Sequence, residues 1–206
     1  MNNQKGVLRM TTVMFLFVGL FGIWMGGCET QEQKVEKLIK QLRDQNEEVR
    51  WDAGYALGQI GKDAVPALVQ VLQDQNSQVR GSAAVALGEI GEGAVDAVPA
   101  LIQALQDQDA KVRFAAAYAL GSIGKGAVDA VPALIQALQD EHVRGNAAMA
   151  LGQIGTSEAL KAAVPVLIKI LQDPNAEGRF RSIVARILGE IGTPEALKAV
   201  EEYQSQ

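Results

Sequence analysis

Cysteine and histidine are almost missing from this 206-residue chain, which contains one of each, Cys28 and His142. A single cysteine cannot form a disulfide within the chain, so the fold has to be held together by packing. One cysteine and one histidine are also too few for a zinc site built from several such ligands, so we expect no metal. His142 follows Glu141 at a loop-to-helix junction, where we expect a solvated surface residue.

Motifs for catalysis are also lacking. No GxSxG motif, which would carry a serine nucleophile, occurs in the chain. The segment IGKGAVDA, from Ile123, is glycine-rich but lacks the GK[ST] ending of a phosphate-binding loop. Equivalent segments, IGKDAVP and IGEGAVDAVP, occur elsewhere, which indicates an ordinary turn between helices. We therefore expect neither an enzyme nor a bound cofactor.

Aromatic residues and positive charge are scarce. Hydrophobic residues make up 48% of the chain but aromatic residues only 5%, so alanine, leucine and valine are expected to form the core. The net charge is −5, and it would be −7, with 17 basic against 24 acidic residues, if residues 1–27 were removed. This balance argues against binding to nucleic acid or to a generally anionic lipid surface.

The chain shows no period-two alternation of apolar and polar residues, which is the pattern of β-strands. It contains a repeated sequence motif instead. The copies are VRWDAGYALGQIG from Val49, VRGSAAVALGEIG from Val79, VRFAAAYALGSIG from Val112, VRGNAAMALGQIG from Val143 and the degenerate FRSIVARILGEIG from Phe180. The shared leucine recurs at intervals of 30 to 37 residues, at Leu57, Leu87, Leu120, Leu151 and Leu188. Such a period, with two segments per repeat, predicts an all-α solenoid of about five helix pairs.

A second segment follows each of the first four copies: VPALVQVLQD from Val65, VPALIQALQD from Val98 and from Val131, and VPVLIKILQD from Val164. Proline suits the first helical turn, whose N–H groups have no partner within the helix. Asp107, with Gln108 and Asp109, supplies side-chain oxygens for the start of the next helix. The glycine that ends LGxIG suits a left-handed helix cap.

Two aromatic rings, Phe114 and Tyr118, interrupt the small side chains of the third copy. An apolar arc at helical spacing is formed by Val112, Ala116, Ala119, Leu120 and Ile123. Both rings point to the other side of that helix. The corresponding positions vary between copies, for example Trp51 and Tyr55, Gly81 and Val85, or Gly145 and Met149. Variation on a constant framework indicates a recognition surface; the alternative is that the rings shield neighbouring helices.

The repeats resemble the HEAT-like repeats of phycobilisome bilin lyases, whose unit reads VRxxAAxALGxIG, a turn, then AVxxLIxALxD. The resemblance runs from about Val35 to Lys198 and weakens in the fifth copy. The segment KVEKLIKQLRDQN, from Lys34, resembles the half-repeat that caps such arrays at the N-terminus, with Glu36 where later copies have proline.

The resemblance implies roles for two sets of residues. It places the VR helices on the concave side, where partners bind, and so predicts partner-binding residues Trp51, Asp52, Tyr55, Phe114, Ala115, Tyr118, Asn146 and Met149. It also implies a structural ladder in which Arg50, Arg80, Arg113, Arg144 and Arg181 pair with Asp74, Asp107, Asp140 and Asp173. Anion binding by those arginines is the weaker interpretation.

The N-terminus contains a different signal. Lys5 and Arg9 precede an unbroken apolar run from Val13 to Trp24, which is typical of a secretory signal peptide. Met25-Gly26-Gly27-Cys28 resembles the lipobox of bacterial lipoproteins, with methionine where leucine is usual. The alternative is a short uncleaved membrane anchor. We predict a signal peptide over residues 1–27, lipidation at Cys28, a tether over residues 28–34 and the solenoid over residues 35–206.

Two functions remain open from the sequence. The first is a non-enzymatic scaffold or adapter, anchored by lipid at the cell envelope on the extracytoplasmic side (periplasmic in a Gram-negative cell), that binds a protein partner on its concave face. The second, implied by the resemblance, is a bilin lyase or chromophore-handling protein. Lyase chemistry of that kind takes place in the cytoplasm, which an export signal contradicts. We therefore favour the adapter.

Overall fold

A computed structural model describes residues 29–155 and 161–205 of the chain. The predicted signal peptide, Cys28 and residues 156–160 lie outside these residues. The chain divides into two compact units, Met1–Lys34 and Val35–Gln206. In the first unit, Thr30 and Gln33 exchange hydrogen bonds between side chain and backbone at 3.0 and 3.2 Å.

The described residues form eleven α-helices. The helix at the N-terminal end, α1, spans Gln31–Gln41 and therefore begins within the segment predicted as a tether. Five helices, called the VR helices, contain the arginine of the VR motif or of its degenerate FR copy: α2 (Glu47–Ile60), α4 (Ser77–Ile90), α6 (Ala110–Ile123), α8 (Arg144–Ile154) and α10 (Gly178–Ile191). The helices that follow them are α3 (Val65–Val71), α5 (Val98–Ala104), α7 (Val131–Ala137), α9 (Val164–Gln172) and α11 (Pro194–Gln204).

The start of each helix follows from its first residues. The proline of every VP segment lies in the first helical turn, where its missing N–H costs no hydrogen bond. Asn46, Asn76 and Asp109 cap α2, α4 and α6, because each side chain accepts a hydrogen bond from the backbone N–H two residues later. The carboxylate of Asp107 accepts a hydrogen bond from the backbone N–H of Asp109, so Asp109 and not Asp107 is the helix cap.

The glycine that ends LGxIG has a positive φ in all five copies, at 61 to 76°. Only the last two, Gly155 and Gly192, adopt the predicted left-handed cap. In the first three copies ψ lies between −132 and −144°, a conformation that is open essentially to glycine alone. A short 3₁₀ segment begins at each of these three glycines, so the chain continues there directly into another helical turn, which explains the difference.

The core runs through the whole unit Val35–Gln206. The five shared leucines are completely buried, and so are all five members of the apolar arc of α6. Each VR helix packs against the next, from α2 through α4, α6 and α8 to α10. The described residues contain no strand, so the predicted all-α solenoid of five helix pairs with an N-terminal half-repeat is confirmed. No helix among the described residues has the length and apolar character needed to cross a membrane.

Candidate functional site

The VR arginines hold the loops between repeats. Arg80 donates from Nη1 to the carbonyls of Asp74 and Gln75, at 2.8 and 3.1 Å, and Arg113 makes the equivalent bonds one repeat later. Arg50 does the same with the carbonyls of Asp44 and Gln45. These carbonyls lie in the turn after a helix, where backbone acceptors lack partners within the helix. Each arginine therefore closes the loop that precedes it.

Two of these arginines also reach the next repeat. Arg80 forms a bidentate pair with Asp107, with both N–O distances at 2.7 Å, and Arg113 pairs with Asp140 at 2.7 Å. The Arg80 guanidinium beside Asp107 holds the pKa of that carboxyl below its usual value, although burial acts in the opposite direction. Both pairs are largely shielded from solvent. The two pairs link consecutive repeats, so Arg80 and Arg113 belong to the scaffold.

The ends of the ladder differ from the prediction. Asp74 is paired with Arg43, which lies outside the repeated motif, at 2.8 Å, while Arg50 bonds backbone carbonyls instead. Arg144 lies 3.7 Å from Glu177 and stacks over the ring of Phe180. Arg181 stacks over Tyr203, and Asp173 accepts the backbone N–H of Asn175. The aromatic residues that replace the carboxylates occur only in the degenerate fifth copy and in the last helix.

A groove of about 440 Å³ lies on the exposed side of three consecutive VR helices, α2, α4 and the first half of α6. Its apolar lining consists of Trp51, Tyr55, Val85, Phe114 and Ala115. Its polar lining includes Glu47, Ser77, Gln78, Ser82, Glu89, Asp109 and Lys111. Four of the eight predicted partner-binding residues, Trp51, Tyr55, Phe114 and Ala115, are thus brought together across repeats.

The groove exists because α4 has small residues where α2 and α6 have rings. Trp51 and Tyr55 are 65% and 57% exposed on α2, and Phe114 is 49% exposed on α6. Between them, a methyl group placed on Gly81 would meet no atom within 4 Å, so Gly81 forms an open floor. Large apolar side chains left in water around an open depression are typical of a binding surface.

Tyr118 has a different role from Phe114. Its hydroxyl donates to Glu89 on the preceding VR helix at 2.9 Å, and this bond to a carboxylate, together with burial, raises the pKa of Tyr118. Its ring lies on Gly88, where a methyl group would stand 2.7 Å from the ring. Tyr118 does not line the groove and packs against the preceding VR helix, while 40% of it stays exposed, so its predicted contact with a partner stays a prediction.

The remaining predicted contact residues lie outside the groove. Asp52 is exposed on α2, and Met149 is exposed on α8 with Asn146 half-buried one turn earlier. Gly145, next to Asn146, also faces open space. The polar groove residues were missed in the sequence, although Glu89 stands in the same helical column as Gly81 and Val85.

Within the described part of the chain, no cluster of three metal-binding side chains occurs. His142 is exposed, with its Nε2 3.6 Å from Glu141, as expected for a solvated residue. The predicted lipidation site, Cys28, lies outside the described residues.

The repeats match a known protein family. A family model described as HEAT repeats matches residues 35–98, 98–162 and 140–205, and so most of the chain. No curated protein is similar enough in sequence to count as a relative.

Solved structures share the fold. An engineered protein is 30% identical, with a TM-score of 0.59, covering 83% of this chain and 85% of its own. The complex of CpcE and CpcF of phycocyanin lyase from Nostoc sp. PCC7120 is 24% identical with a TM-score of 0.66, covering 74% of this chain and 96% of that one. A designed armadillo repeat protein in complex with the peptide (KR)4 is 21% identical with a TM-score of 0.61, covering 83% and 88%.

Proposed function

This chain belongs to the HEAT-repeat family, and we propose that it is a non-enzymatic adapter that holds a protein partner in the groove of its VR helices. The observation that carries the proposal is the difference between the two sides of these helices. One side is fully buried and repeated in sequence, whereas the other exposes Trp51, Tyr55 and Phe114 around the open floor at Gly81. Aromatic anchors of this kind dominate the energetics of protein interfaces.

The repeat fold itself is typical of interaction scaffolds, and one structure of similar fold contains a bound peptide. We place the adapter at the cell envelope, attached by lipid at Cys28 on the extracytoplasmic side. The support for this is the N-terminal sequence alone, with its basic start, apolar run and lipobox-like MGGC. A cysteine that carries more than one acyl chain binds a membrane stably, since each buried methylene contributes about 0.8 kcal/mol.

Removing two anchors tests the groove directly. We expect Trp51→Ala combined with Phe114→Ala to reduce the amount of copurifying partner at least about tenfold, because each ring exposes a large apolar surface to the groove. The thermal midpoint should change by only a few degrees, since neither ring belongs to the buried core. The measurement is quantitative mass spectrometry of the complex purified from host membranes. Tyr118 is left intact, because its removal would also disturb the contact with Gly88.

The matched control is Gln70→Ala combined with Gln103→Ala, on the exposed sides of α3 and α5. It should retain the partner. Equal loss of partner from both double variants would refute the groove as the binding site, and so would collapse of the folded state in the Trp51 and Phe114 variant.

The mass of the intact protein from host membranes tests the anchor. We expect a chain that begins at Cys28 and carries added acyl mass, and Cys28→Ala should move the protein out of the membrane fraction. An unmodified full-length chain in the soluble fraction would contradict the envelope location. That outcome would favour the second candidate, a chromophore-handling protein, whose support is the fold shared with the phycocyanin lyase complex at 24% identity.

A further inference from the structure

We infer that the groove binds a basic, extended segment of its protein partner, with lysine or arginine side chains seated between the aromatic rings and the surrounding carboxylates. The inference rests on the proposed adapter function and specifies the chemistry of the partner. It depends on three properties of the groove: its charge, its aromatic walls and its polar floor.

The exposed charge of the groove is mainly negative. Carboxylates of Glu47, Glu89 and Asp109 line it, one from each of three successive repeats, against a single exposed ammonium, that of Lys111. Arg50 also borders the groove, but it is 6% exposed and its Nη1 is occupied by two backbone carbonyls. Glu89 already accepts from the Tyr118 hydroxyl and Asp109 from the Lys111 N–H, but both keep their negative charge, so the groove offers a cation three carboxylates and an anion a single exposed cationic group.

The aromatic walls suit the same ligand. A guanidinium or ammonium group binds favourably over the face of tryptophan, tyrosine or phenylalanine, and the methylene stems of arginine and lysine pack on apolar surface. Trp51, Tyr55 and Phe114 supply such faces on both sides of the floor. An acidic or purely aliphatic segment would use the rings but would leave the carboxylates facing like charge or desolvated without a partner.

The floor suits an extended backbone. Gly81 leaves space for close approach, and Gln78 and Ser82 on either side carry side chains that can donate to and accept from peptide groups. Ser77 bonds the Asp109 carboxyl and, with the backbone N–H of Lys111, lowers its pKa, so this carboxylate is held in its charged form. The groove spans three repeats, which matches several residues of an extended chain better than one isolated side chain.

The test uses the fluorescence of Trp51 in the full chain. The chain has two tryptophans, and Trp24→Phe leaves Trp51 as the sole indole whether or not the N-terminal segment is removed. The probe is an eight-residue peptide of alternating lysine and arginine, with a glutamate-rich peptide of equal length as its control. We expect a saturable change in Trp51 emission with the basic peptide alone, weakened severalfold as salt is raised to about 0.5 M.

Three variants locate the binding. Gly81→Phe fills the floor and should weaken the basic peptide at least about tenfold, whereas Gly145→Phe, on α8 beyond the groove and equally open, should not. Glu47→Gln combined with Glu89→Gln should reduce both the affinity and its dependence on salt. Equal binding of the acidic peptide, no binding of the basic one, or full affinity in Gly81→Phe would each overturn the inference.

A crosslinking measurement separates this inference from the adapter function. A photoreactive residue at Val85, in the groove, is introduced into the full chain in its own host. Crosslinks to a lysine- or arginine-rich segment of a partner, identified by mass spectrometry, support the inference. Crosslinks to a segment without basic residues overturn it and leave the adapter function standing. No partner crosslinked from Val85 would count against both.

Discussion

Gly88→Leu should lower the free energy of unfolding by about 3 kcal/mol, through overpacking at the contact between α4 and α6. Even a methyl group at Gly88 would stand 2.7 and 2.9 Å from two ring atoms of Tyr118 and 3.2 Å from Cα of Ala119. The ring could rotate away, but the backbone of α6 at Ala119 could not without separating the two helices. The measurement is urea denaturation of the full chain followed by circular dichroism.

The matched control lies in the same helix. Gly81→Leu should stabilise the protein by about 0.5–1 kcal/mol, because leucine favours the helix over glycine and a side chain at this position enters open space. Adding Tyr118→Ala to Gly88→Leu should recover only part of the loss, since Ala119 remains. If Gly81→Leu and Gly88→Leu had the same effect, the close approach of α4 and α6 at Gly88 would be wrong.

The periodicity of the sequence was enough to predict the helices and their buried side. The shared leucines and the apolar arc of α6 follow from helical spacing, and all of them are buried. The role of the first glycine in ALGxIG did not follow. The structure places a side chain of the next VR helix over it in three copies: Glu89 over Gly58, Tyr118 over Gly88 and Gln153 over Gly121. Contacts between repeats depend on the distance between helices, which a single repeat does not encode.

The groove was predictable in part for the same reason. Spacing placed Trp51, Tyr55 and Phe114 on one exposed surface, and the gap at Gly81 was visible as a missing side chain. Spacing also put Tyr118 in line with Phe114, yet the ring of Tyr118 turns onto Gly88 and bonds Glu89. Helical position fixes the direction in which a side chain leaves the backbone, whereas its rotamer is decided by the neighbouring helix. Arg43 escaped notice because it lies outside the repeated motif.

Arg80→Met should lower the free energy of unfolding by about 3 kcal/mol, because one guanidinium joins two repeats and closes a loop. The substitution keeps an unbranched stem but removes a bidentate pair with Asp107 and two bonds to the carbonyls of Asp74 and Gln75. Charge-assisted bonds contribute about 1.5–3 kcal/mol each when shielded, and the carboxylate of Asp107, 13% exposed, would remain without its partner. Urea denaturation at pH 7 gives the difference from the wild type.

Arg43→Met is the matched control, since it removes the equivalent partner of Asp74 at a position where the arginine is 49% exposed. Its cost should stay below about 1 kcal/mol, because solvent screens exposed pairs. The pH dependence supplies a second check. The pKa of Asp107 is lowered chiefly by its bond to Arg80, so the contribution of the pair is complete above the unfolded pKa of about 3.9 and is lost as pH falls through the folded value. The difference between wild type and Arg80→Met should therefore be constant from neutral pH down to about 5 and shrink below about 4. A difference that persisted unchanged in acid would assign the effect of Arg80 to its loop carbonyls alone, and the link between repeats would contribute nothing to stability.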